Sequence, residues 1–156
     1  MTSIIETEVD SPEASALLDA YFAERAEGFP PEQGVYRPSR PDPEQFRGER
    51  GTFLVLEDDE LGPVGCGGLR RLDAPDLVRF EVKHLFLKPI ARGRGYGGAV
   101  LDAAIRIARE RGAQSLVLDT NANLAAAGAL YRKRGFVTIA PYNDNPNATD
   151  WYELRF

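Results

Sequence analysis

The run Arg92-Gly93-Arg94-Gly95-Tyr96-Gly97-Gly98 is the stretch best suited to chemistry. Glycines let backbone approach a ligand without Cβ clashes. The apolar residues that follow, Val100, Leu101, Ala104, Ile105 and Ala108, recur at helical spacing. A helix opening here presents free N–H groups and a positive dipole end to an anion. Arg92 and Arg94 add charge suited to a pyrophosphate or a 3′-phosphate. Gly93, Gly95 and Gly98 also satisfy G-x-G-x-x-G, with Asp119 about where a dinucleotide fold places its ribose-binding acid. In that fold the strand runs almost directly into the first glycine, whereas Lys88-Pro89-Ile90-Ala91-Arg92 intervene here. No Gly-Lys-Ser/Thr occurs, which excludes a P-loop. A tight turn without a ligand is the remaining alternative.

The turn needs elements on both sides to position it. Residues 77–87 read as the preceding strand, 97–111 as the helix closed by Gly112, and 115–118 as a short apolar strand that suits a buried parallel position. Upstream, 52–56 and 64–72 are strands joined by short turns, so the three upstream strands form an antiparallel meander. Gly65, Gly67 and Gly68 in the second strand signal a bulge or a close approach. Residues 11–27 predict a helix, with Ser11 as N-cap and Ala14, Leu17, Leu18, Tyr21 and Phe22 on one stripe. The segment 29–50, with five prolines and four arginines, is a long loop, with or without a short helix near 42–48. Residues 124–133 form a further helix, 136–139 and 151–156 two further strands, and a polar stretch lies between those strands. The fold class is α/β (α+β): a mixed, mostly antiparallel sheet of about six to seven strands, helices on both faces.

Bulk properties narrow the function. A chain of 156 residues suggests one domain, 1–156. The net charge of −5 argues against a nucleic-acid partner. No apolar run approaches the ~18 residues of a membrane span, and the N-terminus lacks the pattern of a secretory signal. Cys66 is the sole cysteine and His84 the sole histidine, so neither an intrachain disulfide nor a Cys/His metal cluster is available. A reduced, cytoplasmic protein without a metal is expected, and a homodimer is left open. Cys66, between glycines, reads as a small buried hydrophobe, and His84 as structural.

The run Glu81-Val82-Lys83-His84-Leu85-Phe86-Leu87-Lys88-Pro89, followed by Arg92-Gly93-Arg94-Gly95-Tyr96-Gly97, resembles motif A of the GCN5-related N-acetyltransferases (GNAT). Arg92, Gly95 and Gly97 meet the family's Arg/Gln-x-x-Gly-x-Gly/Ala. Asn123-Leu124-Ala125 and Leu130-Tyr131-Arg132-Lys133-Arg134-Gly135-Phe136 resemble its motif B. The resemblance implies that the strand before the turn and the strand after the helix splay apart to admit acetyl-CoA. Backbone of Leu85, Phe86 and Leu87 would then pair with the pantetheine arm. The amides of Arg92 through Gly98 would hold the pyrophosphate. Asn123 would contact the pantetheine region, and Tyr131 would point at the sulfur.

The implied reaction is direct attack of a primary amine on the thioester. Glu81 is the candidate base, Tyr131 the candidate acid for the leaving thiolate, and Leu87 N–H a donor to the developing oxyanion. Strand alternation places Glu81, Lys83, Leu85 and Leu87 on one face unless a bulge intervenes. In this family the loops 29–50 and 141–151 wall the acceptor. Arg37, Arg40 or Arg47 could bind a carboxylate, and Tyr36, Tyr142 and Trp151 could line an aromatic wall. These residues favour a small amine such as an amino acid or related metabolite. A non-catalytic acyl-CoA-binding or sensing module and a small dinucleotide-binding oxidoreductase are the alternatives.

Overall fold

The computed structural model describes residues 1–156. Seven strands form one sheet in the order β1-β2-β3-β4-β5-β7-β6. They are β1 (Thr2–Thr7), β2 (Gly51–Asp58), β3 (Gly62–Leu72), β4 (Arg79–Leu87), β5 (Ser115–Thr120), β6 (Val137–Ile139) and β7 (Asp150–Arg155). The helices are α1 (Pro12–Gly28), α2 (Tyr96–Glu110) and α3 (Ala125–Lys133). Pro43–Phe46 forms a short 3₁₀ turn inside the long loop, close to the expected helix near 42–48.

The antiparallel meander β2-β3-β4 is present as expected. β1 was missed at the sequence level. It pairs with β2 along its whole length, Thr2 opposite Asp58 through Thr7 opposite Phe53. Its residues are mostly half-buried or exposed, so no apolar alternation marks it.

Helices cover both faces because the strands alternate. On β2, Phe53 and Val55 join Leu17, Leu18, Phe46, Cys66 and Phe86 beneath α1. Leu54 between them joins Leu69, Phe80, Val82, Leu101, Ala104 and Ala108 beneath α2. The strand glycines serve these contacts rather than a ligand. A Cβ on Gly67 would lie 2.9 Å from Val100, and one on Gly68 2.7 Å from Phe46. α1 starts as read: Ser11 Oγ accepts from Ala14 N–H at 3.2 Å, with Pro12 in the first turn.

β4 and β5 are the parallel pair, and their pairing is short. Arg79, Phe80 and Glu81 face Ser115, Leu116 and Val117, and there the ladder stops. Beyond it both strands continue, so the edges of residues 82–87 and 118–120 face a gap.

β4 also carries a bulge. Cys66 pairs with Phe86 and Gly68 with Lys83, leaving one extra residue on β4. His84 takes φ 56°, unusual for a residue with a side chain. This overturns the simple alternation. Glu81 and Lys83 do not share a face with Leu85 and Leu87. The extra residue turns Leu85 toward the α2 side and Phe86 toward α1.

Candidate active site

The motif-A turn is built as an anion cradle. Gly93 and Gly95 adopt φ 80° and 81°, where an L side chain is strained. Gly95 forms the α2 N-cap and supplies no side-chain hydrogen bond to the first turn. The N–H groups that an α-helix leaves free at its start therefore have no protein cap here. Behind the turn, the Tyr96 hydroxyl donates to Asp58 Oδ2 at 2.8 Å, anchoring the helix start to β2.

A cleft of about 690 Å³ lies where β4 and β5 part, between α1, the loops and α3. It is lined by Val82 to Leu85 of β4, Asp119 and Thr120 of β5, and Tyr131 of α3. Tyr21, Arg25, Tyr36, Arg37 and Arg40 line the opposite wall. The Tyr131 ring packs on Phe136 and Tyr152, both at 5.9 Å. Burial holds its phenol pKa well above the usual value, so it stays protonated.

Several expected residues occupy other places. Glu81 is fully buried and absent from the cleft lining. Arg70 Nε and Nη2 reach its Oε1 at 2.8 and 2.7 Å, and the Tyr142 hydroxyl donates to Oε2 at 2.5 Å. A base in contact with the amine is therefore not what this arrangement provides. Tyr142, expected on the acceptor wall, is the lid on Glu81, and burial together with that carboxylate drives its pKa far up. Trp151 does not line the cleft itself but backs it, donating to Asn143 Oδ1 at 2.9 Å.

Arg92 does not extend over the turn. Its guanidinium donates to the Leu87 carbonyl at 2.8 and 3.1 Å and to Glu24 at 2.6 and 2.8 Å. The Leu87 carbonyl is thereby occupied from within the protein, leaving Leu85 and Phe86 as the open part of the expected pantetheine edge. The Asn123 side chain donates to Gly28 carbonyl at 3.0 Å and so ties α3 to the end of α1. Arg47 pairs with Glu8, Glu44 and Asp10, and Arg40 pairs with Asp19, which leaves Arg37 of the three candidate arginines without a carboxylate.

The family model for the acetyltransferase (GNAT) family matches residues 15–136. The chain belongs to the GNAT acetyltransferase family. An uncharacterised N-acetyltransferase of Schizosaccharomyces pombe is 33% identical over 96 residues, 62% of this chain and 58% of that protein. The IAA acetyltransferase of Azospirillum brasilense is 38% identical over 79 residues, 51% of this chain and 50% of that protein. The matched region thus spans about half the length of these curated relatives. Among solved structures, a candidate acyl-CoA N-acyltransferase of Klebsiella pneumoniae superposes with TM-score 0.77 at 26% identity, covering 99% of this chain and 97% of that one. N-acetylglutamate synthase of Neisseria gonorrhoeae, solved with coenzyme A and N-acetyl-glutamate, superposes with TM-score 0.69 at 23% identity, covering 99% of this chain and 35% of that one. The latter likeness shows the fold alone. The expected GNAT fold, with its splayed β4–β5 pair, is thereby established.

Within this GNAT cleft, two polar groups have parts that sequence reading did not give them. Lys83 Nζ holds Asp119 Oδ1 at 3.0 Å, and Asn143 Nδ2 holds Oδ2 at 2.7 Å. Burial raises the Asp119 pKa, Lys83 and Asn143 lower it more, and the net effect keeps it ionised. Asn147 is the second. Its side chain accepts from Arg37 N–H at 3.0 Å and donates to Arg37 carbonyl at 2.7 Å, clasping loop 29–50 to loop 141–149. Arg25 had a readable signal: it extends the apolar stripe of Leu18, Tyr21 and Phe22, yet carries charge.

His84 and Cys66 match their structural reading. The His84 ring lies against Tyr21 at 5.6 Å and Phe22 at 5.7 Å, and burial pulls its pKa down to about 3. Burial pushes the Cys66 thiol up to about 12, so it supplies no thiolate at neutral pH. No helix is long and apolar enough to cross a membrane. No cluster of three His, Cys, Asp or Glu side chains could hold a metal.

Proposed function

We propose that residues 1–156 form one acetyltransferase domain that moves the acetyl group of acetyl-CoA to the primary amine of a small molecule. The observation that carries this reading is the uncapped N-terminus of α2 at the mouth of the gap between β4 and β5. A dinucleotide-binding oxidoreductase would need successive parallel β-α-β units, and this sheet has one parallel pair.

The amides around Gly93 to Gly98 receive the pyrophosphate, with Arg94 beside them. The open edges of Leu85 and Phe86 receive the pantetheine arm as an added strand would. The thioester supplies an activated carbonyl: C–N forms, C–S breaks, and one proton passes from nitrogen to sulfur. A neutral amine therefore needs no net base. Cationic residues lining the cleft favour that neutral form, because like charge lowers an ammonium pKa.

Tyr131 acts on the sulfur as a hydrogen-bond donor. Its raised pKa lies above the ~8.5 of a thiol, so full transfer of its own proton is uphill. Glu81 positions rather than reacts: it holds Arg70 on the cleft wall and Tyr142 behind it. Asp119, the cleft-lining carboxylate on β5, can orient a water to carry the proton from nitrogen.

An amine-panel assay following free coenzyme A thiol tests the proposal. Amine-dependent thiol release is expected, falling about 100-fold or more in Tyr131→Phe, as for a lost preorganised donor. Tight acetyl-CoA binding without turnover on any amine would replace this reading with a non-catalytic acyl-CoA-binding module.

A further inference from the structure

Arg25 is the group in the cleft that the fold itself does not account for. It sits on the inner stripe of α1, just before the helix ends at Gly28, and is 8% exposed. Its guanidinium lies over Tyr36 at 5.1 Å and Phe29 at 6.0 Å. Nη2 reaches the Asn147 carbonyl at 3.4 Å, while Nε and Nη1 make no hydrogen bond. Of the other cations lining the cleft, Arg70 has Glu81, Lys83 has Asp119 and Arg40 has Asp19, while Arg37, also without a carboxylate, is exposed to water. Arg25 has none. A buried cation without a counter-charge is costly and is rarely kept without a use.

The surroundings say what completes it. Arg37 lines the same cleft, and its backbone is fixed to Asn147. The acids lining the cleft are Asp42 and Asp119. Asp119 is neutralised by Lys83 at 3.0 Å, and Asp42 accepts from Glu44 N–H. The cleft therefore carries excess positive charge on its acceptor side. The guanidinium is flanked by aromatic rings, which leaves its donors pointing in its own plane. Planar donors suit a planar carboxylate better than a tetrahedral phosphate. Arg25 is also close enough to Tyr131 for its charge to act on that phenol, so both ends share one small cavity.

We infer that the acceptor is an aminocarboxylate, with its carboxylate held by Arg25. The inference rests on the acetyl transfer proposed above and narrows its acceptor. Cationic polyamines and basic peptides are excluded by the same charges that admit the carboxylate.

The test pairs each of the common amino acids with its own carboxamide, adds putrescine and phosphoethanolamine, and measures thiol release with wild type, Arg25→Met and Arg25→Lys. Wild type should use at least one amino acid 30-fold or more better in kcat/KM than its amide, and better than either added amine. Arg25→Met should lose that preference, the amino acid's kcat/KM falling through KM to the level of its amide. Equal use of acids and amides, or preference for putrescine or phosphoethanolamine, would overturn the inference while leaving acetyl transfer standing. Should Arg25→Met fail to fold, the wild-type ratios decide alone. Thermal shift by the free amino acids, without acetyl-CoA, separates the two claims. Stabilisation lost in Arg25→Lys but no turnover on any amine supports the anchor and overturns the transfer. Neither stabilisation nor turnover overturns the anchor as well.

Discussion

Gly97→Ala separates the role of the motif-A turn in folding from its role in binding. Gly97 lies in the first turn of α2 and has no positive φ. A Cβ there would sit 3.5 Å from Leu87 Cδ1 and 3.7 Å from Leu130 Cδ2, ordinary contact distances. The fold therefore accepts alanine, and loss of glycine's unfolded-state freedom should stabilise it by about 0.5 kcal/mol. The added methyl stands between the end of β4 and α3, at the entrance of the gap the pantetheine arm must enter. Encroachment worth about 1.4 kcal/mol would raise the acetyl-CoA Kd about tenfold. Urea denaturation measures the first quantity and isothermal titration the second. A stable variant with unchanged Kd would refute the placement of the coenzyme. A variant destabilised by 1 kcal/mol or more would refute the packing. Gly95→Ala supplies the contrast: φ 81° makes it strained although nothing crowds its Cβ, so it should lose about 1–2 kcal/mol.

Two further outcomes follow from buried charge. Glu81→Gln should destabilise by about 2–3 kcal/mol, since it strips the charge from a fully buried carboxylate bound by Arg70 and Tyr142. Its kcat should fall while the acidic limb of the pH profile stays in place, and loss of that limb would make Glu81 the base after all. His84, neutral in the fold down to about pH 3, is protonated in the unfolded chain below about 6.5. The unfolded state then binds more protons, so stability falls as pH drops from about 6.5 toward 3, by about 1.4 kcal/mol per pH unit at most. Denaturation curves across that window should show a slope that His84→Gln reduces, and an unchanged slope would place the histidine in water.

The sequence made the donor side legible and left the acceptor side mostly hidden. The turn, α2 and the parallel pair followed from local spacing, because a glycine-rich turn and an amphipathic helix write their own patterns, while the splay of that pair came from the family resemblance. β1 escaped because an edge strand with few buried residues has no period to read. A bulge in β4 was left open by the sequence, but its position at His84 was not legible, and it moved Leu85 to the face opposite Lys83. Glu81 could be named as the right residue on the right strand. Its sealing could not, since Arg70 and Tyr142 arrive from distant positions. Arg25 was within reach, a charge on an apolar stripe, whereas the Asn147 clasp joins loops 110 residues apart and leaves no local trace.

The most direct measurement is a thermal-shift comparison of acetyl-CoA, desulfo-coenzyme A and NAD on the wild-type protein. Stabilisation by both coenzyme A compounds and none by NAD is the predicted result. It would place a pyrophosphate and pantetheine at the turn from Arg92 to Gly98. Stabilisation by NAD alone would contradict the account at its centre.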